Sequence, residues 1–394
     1  MATAHDLSAD GALKDMVAAP GTRVLLITRA PVGGLWRHIL DLMDGLLERG
    51  FELGLVVDSL RASDSVNGVL KRFEPKLALG VHSLGIPRVP GIGDVRVARH
   101  CRKLIKQLKP DIVHGHGAKG GLHARLAAWG TPAKSFYTPH GGSLHYGWNS
   151  LSGAMFLSTE RAFIRITNQF LFESSYSHQG FTTKIGDTTG KSRVIFNGLR
   201  SSEFAGSVQH IAKPDYDFAF VGEMRAIKGV DVLLDALDVV SHATGKAPKV
   251  LMLGDGPQMD EYKGLAEELG IAGAVDFVGR RPVREAFAAT NTIIVPSRAE
   301  SLPYIVIESI AAGKNVIATD VGGIGEIFGP TRDALIPTND FEALADAMEK
   351  TMTPQTPEDK VQLEARYDFV ATNFHVDTMV DQAAQTYHML LQKD

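Results

Sequence analysis

Short apolar runs alternate with amphipathic stretches along nearly the whole chain, and that rhythm predicts the fold. Residues 24–28 read as a buried strand. Residues 33–49 read as a helix with Leu35, Ile39, Leu42, Leu46 and Leu47 on one face. Further strands are expected at 53–58, 111–114, 134–138, 168–173 and 193–196, separated by helical stretches. After residue 200 the pattern restarts, with strands expected at 218–222, 249–254, 274–279, 292–296 and 315–319. Helices at 230–240, 259–269 and 304–312 fall between them. Strict alternation of strand and helix means parallel sheets covered on both faces. Two such series make two doubly wound α/β domains.

The divisions follow from where the rhythm stops. Residues 1–21 read as a disordered tail, 22–200 as the first domain, 201–214 as a polar and poorly periodic linker, and 215–374 as the second domain. The stretch 354–394 reads as two helices with no strand after them. A length of 394 residues suits two domains. With 44% hydrophobic and 22% charged residues, the chain is neither disordered, collagen-like nor coiled coil. It has no run of 18 apolar residues, so no bilayer-spanning helix is expected. The single cysteine, Cys101, excludes an intramolecular disulfide and a cysteine-based zinc site. The opening residues lack a basic stretch followed by an apolar one, which predicts no secretory signal and a cytoplasmic location.

Charge is modest in sum, at −4, but unevenly spread. Residues 1–200 carry 25 Lys/Arg against 15 Asp/Glu, a balance of +10, and the remainder carries −14. Such a dipole suggests domains with different partners, the basic half attracting phosphates or an anionic membrane surface. One helix concentrates that charge. Val97, Cys101, Leu104, Ile105 and Leu108 share a face, with Arg96, Arg99, Arg102, Lys103, Lys106 and Lys109 on the other. A solvated face is the default reading, and a membrane-surface helix the alternative.

Three motifs invite misreading. Residues 115–120, GHGAKG, fit the dinucleotide fingerprint and follow a strand. Such a site also needs an acidic residue about 20 positions on to hold ribose, and none occurs between Asp111 and Glu160. A glycine-rich turn is the better reading, with Arg125 or His140 leaving an opening for NADP. Asp215 and Asp217 form a D-x-D, but in the linker before a strand, where metal-binding carboxylates seldom lie. His114 and His116 with His123 lack a matching carboxylate and read as cleft lining, so no metal is expected.

The chemistry falls in loops after strands, where open α/β sheets bind ligands. Gly33 and Gly34 precede a helix and allow close backbone approach of an anion. Residues 222–229, GEMRAIKG, place Arg225 and Lys228 three apart at a loop–helix junction, suited to holding two phosphates. Residues 300–308, ESLPYIVIE, put Glu300 in a loop and Glu308 about one turn inside the helix that begins near Pro303. A glycine turn follows at Gly322 and Gly323.

On these elements together, residues 22–390 resemble the retaining glycosyltransferases of family 4, whose GT-B architecture sets two Rossmann-like domains facing a central cleft. The resemblance implies an acceptor domain at 22–200, a donor domain at 215–374 and a final helix, 375–394, crossing back to the first. Glu300 is then expected at the donor sugar, Glu308 at the nucleotide ribose, and Arg225 and Lys228 on the diphosphate. Amides near Leu302 and Tyr304 are expected to face sugar and phosphate. Gly222, Gly33 and Gly34 would border the diphosphate, His140 would meet the donor sugar and Arg280 would stack near the base. The chain departs from the family's frequent E-G-F-G, with Ser301 and Pro303 in place of glycines. Pro303 offers no amide, so one contact must come from a neighbour.

The implied reaction moves a hexose or N-acetylhexosamine from a UDP- or GDP-linked donor to a saccharide or lipid-diphosphate-saccharide acceptor, without cofactor or metal. Acceptor contacts are expected from His145, Tyr146 and Trp148 and from the region of Trp36, Arg37 and His38. The basic first half points to a lipid-linked acceptor in surface or extracellular polysaccharide assembly, with peripheral contact to the inner membrane face and no nucleic-acid partner. Two other readings stand beside it: an NADP-dependent oxidoreductase using 115–120, and a non-catalytic sugar-nucleotide-binding partner.

Overall fold

A computed structural model describes residues 21–59, 64–88, 91–142, 144 and 146–392. The chain divides into two compact units. One runs to Asn197 and takes in the chain again from Val376; the other is Gly198–His375. The polar stretch 201–214 is tied to the second unit. The Ala205 and Gln209 amides donate to the carbonyls of Ala311 and Gly313 at 2.8 and 2.9 Å, and the Ile211 amide donates to Asn291 Oδ1 at 2.7 Å.

The first unit holds strands β1 (Arg23–Thr28), β2 (Glu52–Asp58), β3 (Gly80–Leu84), β4 (Ile112–His116), β5 (Lys134–Thr138), β6 (Gln169–Phe172) and β7 (Ser192–Val194). They pair in parallel in the order β3-β2-β1-β4-β5-β6-β7. Central strands are continuous apolar runs because helices cover both sheet faces. β1 buries Val24 to Thr28 completely or nearly so. Helix Gly33–Glu48 packs Trp36, Ile39, Leu42, Met43 and Leu46 onto the sheet. Helix Val376–Leu391 brings Met379, Val380, Ala383, Ala384 and Tyr387 into the same core. The two helices approach so closely at Gly45 that a Cβ there would meet Val380 Cγ2 at 2.6 Å.

The second unit holds β8 (Phe218–Val221), β9 (Val250–Leu253), β10 (Val275–Gly279), β11 (Thr292–Val295) and β12 (Asn315–Ala318), parallel in the order β10-β9-β8-β11-β12. Its core packs Phe218, Phe220, Leu233, Leu237, Ile294, Leu344 and Met348. Each sheet reverses its winding once, between β1 and β4 and between β8 and β11. In open α/β sheets the crevice beyond the strands' carboxyl ends at such a reversal is where ligands bind.

Candidate active site

In the second unit, the loops after β8, β11 and β12 meet at that reversal. Lys228, after β8, donates from Nζ to Glu300 Oε1 at 2.6 Å; Ser297, after β11, donates from Oγ to the same oxygen at 2.7 Å. Arg225 is largely exposed and lies 3.5 Å from Glu223. The crossings demand glycine. Gly229 (φ 67°) faces the Pro296 carbonyl and Gly322 (φ 60°) faces the Glu300 carbonyl, and a Cβ at either would collide with that oxygen. The Gly323 amide donates to the Ser301 carbonyl at 2.6 Å.

A clamp fixes the loop that carries Arg225 and Lys228. Arg298 donates to both carboxylate oxygens of Asp231, at 2.8 and 2.6 Å, and to the Ala226 carbonyl, while its own amide donates to the Ile227 carbonyl at 2.8 Å. Burial alone would raise the Asp231 carboxyl, but the Arg298 hydrogen bonds and charge hold it below its ordinary value.

In the first unit, the reversal between β1 and β4 opens onto Gly33 and Gly34. Both are exposed, Gly33 has φ 61° with no atom of the described residues within 4 Å of where a Cβ would sit, and among the described residues no side chain caps the helix they start. Beside them lie four histidines. His38 Nδ1 hydrogen-bonds Asn197 Oδ1 at 2.9 Å. His114, on β4, spans Tyr387 Oη at 2.7 Å and Thr138 Oγ1 at 2.9 Å. His116 Nδ1 is 3.2 Å from His140 Nε2. His140 sits in the turn after β5 with φ 51°, a backbone state costly for a residue with a Cβ and one that clusters at functional sites.

Two family models match consecutive stretches of the chain: Glycosyltransferase Family 4 over residues 32–203 and Glycosyl transferases group 1 over residues 203–367. The chain belongs to the family 4 glycosyltransferases, of GT-B architecture. It is 27% identical over 298 residues, 69% of this chain and 71% of the relative, to TuaC of Bacillus subtilis, a glycosyltransferase named for teichuronic acid biosynthesis. It is 22% identical over 381 residues to the glycogen synthase of Mycobacterium tuberculosis, covering 90% of this chain and 91% of that one. Among solved structures, sucrose-phosphate synthase from Thermosynechococcus elongatus shares the fold at TM-score 0.76 and 19% identity, over 95% of this chain and all of that one. Anabaena HepE, solved with UDP and glucose, does so at TM-score 0.73 and 17% identity, over 93% of this chain and all of that one.

Other expected residues of this glycosyltransferase divide. Gly222 follows β8, its amide donating to the Leu253 carbonyl at 3.0 Å. Leu302 and Tyr304 bury their side chains, so any contact to a ligand would run through their backbone. Glu308 is half-buried in helix Tyr304–Ala311. Arg280 is not part of the cluster: it follows β10, the edge strand, is mostly exposed and lies 3.7 Å from Asp255. His145 lies outside the described residues. Tyr146 stacks on Phe156 at 4.5 Å, and Trp148 Nε1 donates to the Lys184 carbonyl at 2.9 Å. Trp36 belongs to the core, not to an acceptor surface.

The misleading motifs resolve physically. Cβ atoms at Gly120 or Gly121 would strike the Ile27 carbonyl or the Tyr137 ring, so these glycines serve close helix–sheet packing. Arg125 is buried against Glu160 at 2.8 Å and stacked on Tyr137, which removes it from a cofactor phosphate. Asp217 accepts from the Lys249 amide at 2.8 Å at the amino end of β8, away from the ligand loops. His123 leaves its sequence neighbours and turns to Asp94, 3.3 Å away, beside Lys119, whose Nζ is 2.7 Å from both Asp94 oxygens.

Burial holds the histidines neutral. It pushes His38 down to about 4, against its Asn197 hydrogen bond, and puts His114, His116 and His140 well below the ordinary value, with neighbouring imidazoles adding to the effect. Above the ordinary imidazole value of about 6.5 neither the folded nor the unfolded state is protonated at these rings. Below it the unfolded chain takes up protons that the folded chain refuses, so stability falls as pH drops. Each ring contributes up to about 1.4 kcal/mol per pH unit in that window. Urea midpoints at about pH 7.5 and about pH 5 test this, and equal midpoints would show ordinary titration.

Proposed function

We propose that this glycosyltransferase moves a hexose or N-acetylhexosamine from a nucleotide-diphosphate sugar to a saccharide or lipid-linked saccharide acceptor, with retention at the anomeric carbon and without a metal. The observation that carries it is the shared grip of Lys228 and Ser297 on Glu300 at the winding reversal, with Arg225 on the same clamped loop.

In this reading the diphosphate draws Lys228 from Glu300 and joins Arg225, so two cations carried on one clamped loop meet the negative charge that grows on the leaving group. Glu300, kept in place by Ser297, is released to the sugar hydroxyls. The bond from the anomeric carbon to the phosphate oxygen breaks and the bond to the acceptor oxygen forms on the same face. The acceptor's hydroxyl proton passes to the departing phosphate. His140, Gly33 and Gly34 contact the donor during turnover. No described helix is long and apolar enough to cross a membrane. Helix Ile92–Leu108 exposes Ile92 and Val95 next to its basic face, which supports peripheral contact with an anionic surface.

The test begins with thermal shifts against UDP, GDP, ADP and CDP. One nucleotide is expected to stabilise, by about 2.7 kcal/mol at a hundredfold excess over Kd. The matching sugar nucleotides are then offered with chelator present. NMR of the product should show the donor's own anomeric configuration. Inversion, or turnover abolished by the chelator, would overturn the corresponding part, and no stabilising nucleotide would overturn the whole.

A further inference from the structure

His38, His116 and His140 each bring one ring nitrogen to within 4.8 Å of the other two. They arrive from three places in the chain: helix Gly33–Glu48, the end of β4 and the turn after β5. The His116 ring is buried, and its Nε2 has no hydrogen-bond partner among the described residues. An orphaned buried nitrogen costs about 1–3 kcal/mol and asks for an explanation, an ion among them.

We propose that these three imidazoles form a binding site for a divalent transition ion, best matched by Zn2+. Three nitrogen donors with no carboxylate or thiolate select a borderline ion over Mg2+ or Ca2+. Zn2+ bound by three histidines, with the fourth position left to water or a ligand oxygen, is an established donor set. A tetrahedral ion about 2.1 Å from each nitrogen would set them about 3.4 Å apart, so the rings close onto the ion by small side-chain rotations. One outer hydrogen bond is in place, at His38, while His116 and His140 hydrogen-bond each other at 3.2 Å. Asn197 orients His38, and His114, ring centroid 4.0 Å from that of His116, is itself pinned by Tyr387 and Thr138. If His140 meets the donor sugar, as the reading above holds, an ion here withdraws it and inhibits transfer; the binding itself does not depend on that reading.

The test is a titration of the chelator-treated full chain with Co2+, whose visible bands intensify when four-coordinate, followed by displacement with Zn2+ and equilibrium dialysis for stoichiometry. One ion per chain is expected. His140→Gly removes a ligand at a left-handed position that glycine favours, so the fold is not threatened. It and His38→Gln should each weaken binding about tenfold or more. His242→Ala, an exposed histidine of the second unit, should leave binding unchanged. Absence of stoichiometric binding in the unaltered chain, or full affinity in His140→Gly, overturns the proposal. Neither readout uses donor or acceptor, so a failed transferase assignment would leave it standing.

Discussion

Lys228→Ala is expected to lower kcat/KM by about a hundredfold to a thousandfold while the melting temperature moves by no more than a few degrees. Removing one preorganised donor aimed at developing charge costs about 3–4 kcal/mol of barrier. In the proposed reading Lys228 would fill that role from a loop already clamped in place, its ammonium passing from Glu300 to the diphosphate when the donor binds. The stability contribution is smaller: the pair is partly exposed, and such ion pairs contribute about 1 kcal/mol or less. Glu300→Gln should follow the same pattern, keeping the Ser297 hydrogen bond and the fold but losing the carboxylate. Steady-state kinetics with the stabilising sugar nucleotide, set beside thermal melts, make the check. Activity within a few-fold of the unaltered enzyme in Lys228→Ala would remove the diphosphate assignment.

Much of this was legible in sequence because buried parallel strands are continuous apolar runs. The expected strand 218–222 is observed as Phe218–Val221, and 315–319 as Asn315–Ala318. β3 was missed because it is an edge strand, half-buried, with His82 and Ser83 diluting Val81 and Leu84. That Lys228 and Glu300 fall in ligand-side loops was legible for a related reason, although their direct ion pair was not. Both sit in loops after strands, and β8 and β11 are neighbours at the winding reversal. Arg298 was not legible. In sequence it is one more polar loop residue, and only the adjacency of β8 and β11 brings it to Asp231. The histidines show the opposite error. Nearness in sequence grouped His114, His116 and His123, but the turn at Gly117 sends His123 to another face, while His38 and His140 come in from distant segments.

Gly229→Ala tests whether the loop crossings, and not the charges alone, build the site. The substitution should destabilise the second unit by about 3 kcal/mol, the sum of a left-handed backbone penalty and an overpacking penalty. For a unit of this size that is about 6–12 °C in melting temperature. Activity should fall with it, since the collision pushes the Lys228 loop away from the Pro296 carbonyl and so from Glu300. Gly33→Ala is the control. Its φ of 61° is nearly the same, but among the described residues no heavy atom lies within 4 Å of the added Cβ. It should therefore show the backbone penalty alone, about 1 kcal/mol. Calorimetry of the two variants separates strain from collision. Equal shifts would mean that the Pro296 loop yields freely, and a loop that yields freely cannot hold Lys228 against Glu300 tightly enough to preorganise the site.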